Sequence, residues 1–383
     1  MALRVALIAG EASGDQLGAG LMRALRRQRP DVEFEAIAGP KMRAVGCRSI
    51  GDIEELSVMG LSEVLQHLPR LFRLRRDLVD YLIEDRPDVV IGIDAPDFNL
   101  GLEKRIRKAG IPTVHYVSPT VWAWRAGRVK TVAEAADLLL CLFPFEPDCY
   151  RETGLKAVFA GNPLAAEITE PMDMVAARQQ LGLPRDGQVV ALLPGSRGSE
   201  IRRLGPVFLK TAVLLRERFP GLQFVVPMAG RKSEGEFASL KEWGALDFPI
   251  KMVRGQSREC MAAADVVLTA SGTATMEAML MERPSLVAYQ VSPVTYALVK
   301  RLGLLKTRFV AMPNVLADEA LMPEFLQGDA TPERLAGSAA ELLEDEGLQV
   351  DISRRMRRLA SSLRTAGPDT AAEAILELAG GKQ

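Results

Sequence analysis

The sequence predicts an α/β protein built from two doubly wound domains. Three observations lead there. Short, continuous apolar runs recur between helical patterns, the mark of parallel strands covered on both faces. The runs form two blocks, separated by a stretch that Pro163, Pro171 and Pro184 punctuate. A glycine-bearing strand-to-helix loop of the phosphate-binding kind stands at mid-chain, which argues that a second nucleotide-type domain begins there. The expected domains are residues 1–165 and 185–345, with the helices of 346–383 returning toward the first. Ligands of such Rossmann-like domains sit at the carboxyl ends of the strands. Two facing domains would make a cleft between those ends.

The first block reads as strands Arg4–Ala9, Phe34–Ala38, Asp88–Ile93, Thr113–Val117, Leu138–Leu142 and Val158–Ala160. The first runs into Gly10-Glu11-Ala12-Ser13-Gly14-Asp15. Ser13 with Gln16 is a capping-box pattern, and Leu17, Leu21 and Leu25 then recur at helical spacing. Glu11 lies at the strand end, where a carboxylate meets ligand. After Asp88–Ile93 come Asp94, Asp97 and Asn99, a set suited to proton transfer or hydroxyl binding; either Asn99 or Asp97 is a natural cap for the next helix. With two histidines in the whole chain, a carboxylate is the most available general base. The segment His115–Arg125 holds two of the three tryptophans, Trp122 and Trp124. It reads equally as a sugar platform and as a core aromatic pair with a satisfied histidine.

Leu61–Ile83 is of another kind. Its apolar residues, among them Leu65, Leu68, Leu71 and Phe72, exceed one helix stripe, and Arg70, Arg73, Arg75 and Arg76 cluster among them. The mixture suits an interfacial surface that dips into acyl chains beside anionic head groups. It also suits a packed amphipathic helix with a solvated basic face. Pro69 is expected to break or kink the helix.

The second block reads as Val189–Leu193, Gln223–Pro227, Ile250–Val253, Val266–Thr269, Ser285–Tyr289 and Arg308–Ala311. Its first loop carries Gly195, Ser196, Arg197, Gly198 and Ser199. Glycines let backbone N–H groups approach an anion, the following helix N-terminus is partially positive, and the arginine fork suits phosphate oxygens. The loop therefore reads as a pyrophosphate cradle, against a plain polar turn with an exposed arginine. It is neither a Walker motif nor GxGxxG. After Val266–Thr269, the small residues Ser271, Gly272 and Thr273 permit close approach of a ligand. Glu277, one turn into the helix, could accept from two vicinal hydroxyls such as a ribose offers, or serve only as a first-turn acid.

Composition narrows the class. With 383 residues, 48% hydrophobic and 25% charged, the chain is ordinary globular material for two full cores. A net charge of −1 gives no global field for nucleic acid. Cys47, Cys141, Cys149 and Cys260 form no CxxC pair, so no zinc or disulfide framework is expected. The N-terminus runs directly into a strand and loop, without the apolar segment and cleavage site of a signal peptide, and no apolar run is long enough to span a bilayer. A cytoplasmic protein is expected.

AGEASGDQLGAGL near the N-terminus, DAPDFN at 94–99, HYVSPTVWAWR at 115–125, LPGSRGSEI at 193–201, ASGTATMEAML at 270–280 and MPNVLA at 312–317 together resemble the lipid-A-disaccharide synthase family. The resemblance covers nearly the whole chain. It implies an inverting glycosyltransferase of the GT-B type. That family joins UDP-2,3-diacylglucosamine to 2,3-diacylglucosamine 1-phosphate (lipid X), giving the β(1→6) disaccharide 1-phosphate and UDP. It works at the cytoplasmic face of the inner membrane of Gram-negative bacteria, so an anionic lipid surface is an implied partner. By position, Glu11, Asp97, Arg197 and Asn314 match its important polar residues, and Glu277 matches the ribose-binding glutamate of the wider fold group. The middle position of Gly161-Asn162-Pro163, often histidine in relatives, is asparagine here. The implied layout puts lipid X in the first domain and the UDP-sugar in the second, with no metal or other cofactor. A UDP-N-acetylglucosamine 2-epimerase would share the plan without needing Leu61–Ile83. A serine hydrolase lacks its triad context. A non-catalytic nucleotide-sugar-binding module would keep the phosphate loop without needing Asp97.

Overall fold

The structure, a computed structural model, describes residues 2–56, 61–123, 127–292, 301 and 307–381, with the backbone alone for 61–68. It divides into two compact units. Met1–Ala166 with Leu363–Gln383 form one, and Glu167–Ser362 the other. The block 346–383 is thus shared: the helix Glu346–Leu363 lies almost wholly in the second unit, and only the helix Pro368–Gly380 belongs wholly to the first.

The first unit holds a seven-stranded sheet ordered β3-β2-β1-β4-β5-β6-β7, all parallel. Its strands are β1 Arg4–Ala9, β2 Glu33–Ala38, β3 Arg48–Asp52, β4 Val89–Ile93, β5 Thr113–Tyr116, β6 Leu138–Cys141 and β7 Lys156–Phe159. The central strands β1, β4, β5 and β6 are buried along nearly their whole length, which is why they read as unbroken apolar runs. The helix Ala12–Gln28 packs its Leu21, Met22 and Leu25 on one face, beside Ile375 of the returning C-terminal helix. Leu78, Val79 and Leu82 cover the other face with Leu102 and Ile106. These three belong to one helix, Leu61–Asp85, with Pro69 inside it, so of the expected break or kink the break does not occur.

The second unit repeats the plan with six strands, β10-β9-β8-β11-β12-β13, again all parallel. They are β8 Val189–Leu193, β9 Gln223–Met228, β10 Lys251–Arg254, β11 Val266–Ala270, β12 Ser285–Tyr289 and β13 Glu324–Leu326. Arg308–Ala311 is not a strand. The N–H groups of Val310 and Ala311 donate to the Glu324 carboxylate at 2.9–3.1 Å, so a side chain takes the bonds a neighbouring strand would have taken. The expected Ser13–Gln16 capping box is also absent. Glu11 holds the N-cap position without a cap bond, and Gln16 accepts from Lys41 Nζ at 2.6 Å. Asp15 is the capping acid instead: buried, it accepts from the N–H groups of Gly39, Lys41 and Met42 at 2.8–3.0 Å and pins the helix Pro40–Val45.

Candidate active site

Each unit presents a cavity with polar side chains at its strand ends. In the second unit it lies over β8, β9 and β11, where the strand order reverses, and encloses about 450 Å³. Gly195, at φ +108, occupies a region open to glycine at little cost. The turn it allows points the N–H groups of Ser196 and Arg197 at one spot. Both donate to Glu200 Oε2, at 3.1 and 3.3 Å, while Arg197 Nη1 reaches Glu200 Oε1 at 3.2 Å. The cradle therefore holds an anion of its own, a carboxylate at the start of the helix Gly198–Arg218. Across the cavity Gly272, at φ +124, caps the helix Thr273–Leu280, and Ser271, Gly272 and Thr273 form the wall. Glu277, largely shielded, lines the same cavity and accepts from Arg258 Nε at 3.1 Å. Sequence segments distant along the chain thus meet around one volume.

In the first unit a cavity of about 280 Å³ lies at the ends of β4 and β5, lined by Asp94, Asp97, Ser118 and Arg128 among others. Asp97 stands in the first turn of the helix Pro96–Lys108, its side chain 80% exposed, in an ion pair with Arg128. Asp94, Ala95 and Val117 all adopt left-handed backbone, at φ +53, +43 and +89. Non-glycine residues hold such angles only where the surroundings enforce them, at about 1–3 kcal/mol each. The Glu11 loop lies against the same turn: a Cβ on Gly10 would come within 2.9 Å of that of Ala95. Glu11 and Ser13 are exposed there.

Other expected site residues are placed elsewhere. Gly14 is buried against Ala9 and Ile93, a packing position rather than a ligand contact. His115 is fully buried, its Nδ1 2.8 Å from Oε1 of the equally buried Glu103, whose carboxyl burial pushes above the usual range. It cannot meet a sugar, so the core alternative holds. Trp122 is half-buried and packs in a T-shaped pair with Phe145, with centroids 5.5 Å apart. Trp124 and Arg125 lie outside the described residues. Asn314 is fully buried: Nδ2 donates to Met322 O and Glu324 Oε1 at 2.7 and 2.8 Å, and Oδ1 accepts from Met322 N at 2.7 Å. It shapes the loop from 311 to 324 and is not placed to touch substrate. Asn99, proposed as a cap, is buried inside its helix and donates to the Asp94 carbonyl at 2.8 Å; Ala95 holds the N-cap position. Of the arginine helix, Arg70, Phe72 and Arg73 are exposed and Leu71 half-buried, while the side chains of Leu65 and Leu68 lie outside the description. Sequence reasoning missed Glu200, whose bonds close within its own loop, and Arg258 and Arg128, whose pairings become visible only when distant segments are brought together.

The match to known families decides between the remaining readings. Residues 5–375 match the family model described as lipid-A-disaccharide synthetase. The chain belongs to the lipid-A-disaccharide synthetase family. Curated members include lipid-A-disaccharide synthases from Pseudomonas aeruginosa (strain UCBPP-PA14), 51% identical over 98% of both chains, and from Alkalilimnicola ehrlichii, 49% identical over 99% of both. Among solved structures, the S. aureus MnaA–UDP co-structure aligns with a TM-score of 0.62 at 16% identity, covering 98% of this chain and 95% of that one. The calicheamicin glycosyltransferase CalG4 aligns with 0.59 at 16% identity, over 99% of both. These likenesses show the shared two-domain GT-B fold of a lipid-A-disaccharide synthetase family member. Among the described residues no group of three or more His, Cys, Asp or Glu is gathered as a metal set, and no helix is long and apolar enough to cross a membrane.

Proposed function

We propose that the two cavities carry the two halves of a sugar transfer, the UDP-sugar in the second unit and the acceptor in the first. The reaction is that of the family: UDP-2,3-diacylglucosamine and lipid X give the β(1→6) disaccharide 1-phosphate and UDP. Family membership over residues 5–375 carries this reading. Asp97 takes the proton of the acceptor 6-hydroxyl as that oxygen bonds to the anomeric carbon. The bond from that carbon to the diphosphate oxygen breaks on the opposite face, and UDP leaves with the electron pair. Inversion in one displacement needs no covalent enzyme intermediate. Arg197 and the N–H groups of Ser196 and Arg197 receive the growing charge; their hydrogen bonds to the Glu200 carboxylate support this reading. Glu277 accepts from ribose hydroxyls, and the loop that carries Glu11 packs through Gly10 against Ala95, two residues before Asp97.

The exposed face formed by Arg70, Phe72, Arg73 and Arg76 supports peripheral binding to an anionic membrane at the cytoplasmic face, where both acylated substrates reside. The test is product analysis. Incubation with both synthetic lipids should yield the disaccharide 1-phosphate by mass spectrometry, with UDP release that requires both. UDP release without lipid X, or a UDP-linked epimer in place of the disaccharide, would overturn the reading.

A further inference from the structure

Glu277 alone cannot choose which way its carboxylate points. Five residues into its helix, it is held by a residue the sequence motifs do not contain. Arg258 belongs to the helix Ser257–Ala263, whose first residue lines the same cavity. Its Nε donates to Glu277 Oε1 at 3.1 Å, and its Nη1 donates to Glu167 Oε1 at 2.9 Å. A guanidinium is planar and rigid, so two bonds in different directions fix its orientation. The arginine is about one-third exposed and Glu277 less, so this is a shielded pair rather than a loose surface one.

We infer that Arg258 is the positioning residue of the nucleotide site, holding one oxygen of Glu277 so that the other is presented to a ligand's vicinal diol, with Glu167 as its anchor. This rests on the ribose reading of Glu277 and deepens it. A carboxylate tied by one oxygen keeps lone pairs on the second in a fixed direction. Freed of Arg258, the side chain would turn among its rotamers and lose its preference for a diol.

The test compares UDP with 2′-deoxy-UDP by calorimetry on the full chain, with inorganic pyrophosphate as a probe of the phosphate cradle. In the natural protein UDP should bind about tenfold more tightly than its deoxy analogue, the worth of one charge-assisted hydrogen bond. Arg258→Ala should bring that ratio to within about threefold while leaving pyrophosphate binding unchanged, because the cradle does not touch Arg258. Arg258→Lys, with one point charge in place of the fork, should fall between. Glu167→Gln, half-exposed and further out, should lower the ratio less and serves if Arg258→Ala fails to fold. An Arg258→Ala protein that keeps the full ratio overturns the positioning role. A natural protein without the ratio overturns the ribose reading itself, a distinguishable failure. Equal loss of pyrophosphate and UDP binding would show a merely structural arginine and also sink the inference.

Discussion

The two units place their first strand-to-helix loops at equivalent points of equivalent sheets, after β1 and after β8, each beside the switch in strand order. What sits at the helix cap differs. In the first unit it is a carboxylate, Glu11, exposed and making no cap bond. In the second it is a guanidinium, Arg197, on a glycine turn whose N–H groups converge on an anion. A helix N-terminus by itself favours negative charge in both places. The first unit puts an acid where the dipole already favours one and adds Asp97 nearby. The second adds a cation and so strengthens the same dipole toward a ligand's charge. On the proposed reading, one scaffold would accept a proton and the other would hold a diphosphate.

If that division is correct, damage at each end should have a different kinetic signature. Asp97→Asn should show the largest effect, a fall in turnover of about 10²–10⁴-fold, the usual contribution of a general base. Its affinity for UDP should stay unchanged, since Asp97 belongs to the other unit's cavity. Steady-state rates and calorimetry separate the two; turnover within tenfold of the natural protein would remove Asp97 from the base role. Arg197→Ala should come next and affect both quantities. Losing a donor on developing charge costs about 2–4 kcal/mol in the transition state, and ground-state UDP binding should weaken with it. If UDP affinity and turnover both hold, the cationic end of the comparison is wrong.

Glu11→Gln should be milder. The carboxylate has no partner bond of its own at the cap, so its neutral isostere should fold normally and lose about tenfold in kcat/KM through one weakened hydrogen bond. The melting temperature should not move. A loss as large as that of Asp97→Asn, with UDP binding intact, would make Glu11 rather than Asp97 the base and would redraw the acidic end of the comparison.

Much of this was legible before the structure, and the exceptions have physical causes. Buried central strands announce themselves as apolar runs, so the doubly wound plan and both loops were readable. The edge strands β3 and β13 were not, because RSIGD is half-exposed and EFL is three residues long. Arg308–Ala311 looked like a strand because residue type does not reveal that Glu324 satisfies its backbone. His115 and Asn314 looked functional because a polar residue in a motif carries no sign of whether it is buried. Arg258 and Arg128 carried no signal at all, since their partners lie nineteen and thirty-one residues away.

The smallest expected effect on turnover concerns the helix Leu61–Asp85, which sharpens the contrast between units because it belongs to the acidic one, where the acylated acceptor is proposed to bind. Its two halves behave differently. Leu78, Val79 and Leu82 are in the core, and Leu82→Ala should cost about 2–5 kcal/mol, as buried large-to-small changes do. Phe72 is 55% exposed and lies under the guanidinium of Arg75, 5.0 Å from ring centroid to Cζ. Phe72→Ser combined with Arg73→Ser should therefore change stability by about 1 kcal/mol or less, the worth of the exposed cation–π contact. Flotation with vesicles containing anionic lipid should nevertheless fall, since each basic residue near such a surface contributes about 1 kcal/mol and the phenyl ring adds its buried area. Sensitivity of the natural protein's flotation to salt should diminish in the variant. A folded double variant that floats as well as the natural protein, at every salt concentration, would show that this face does not meet the membrane.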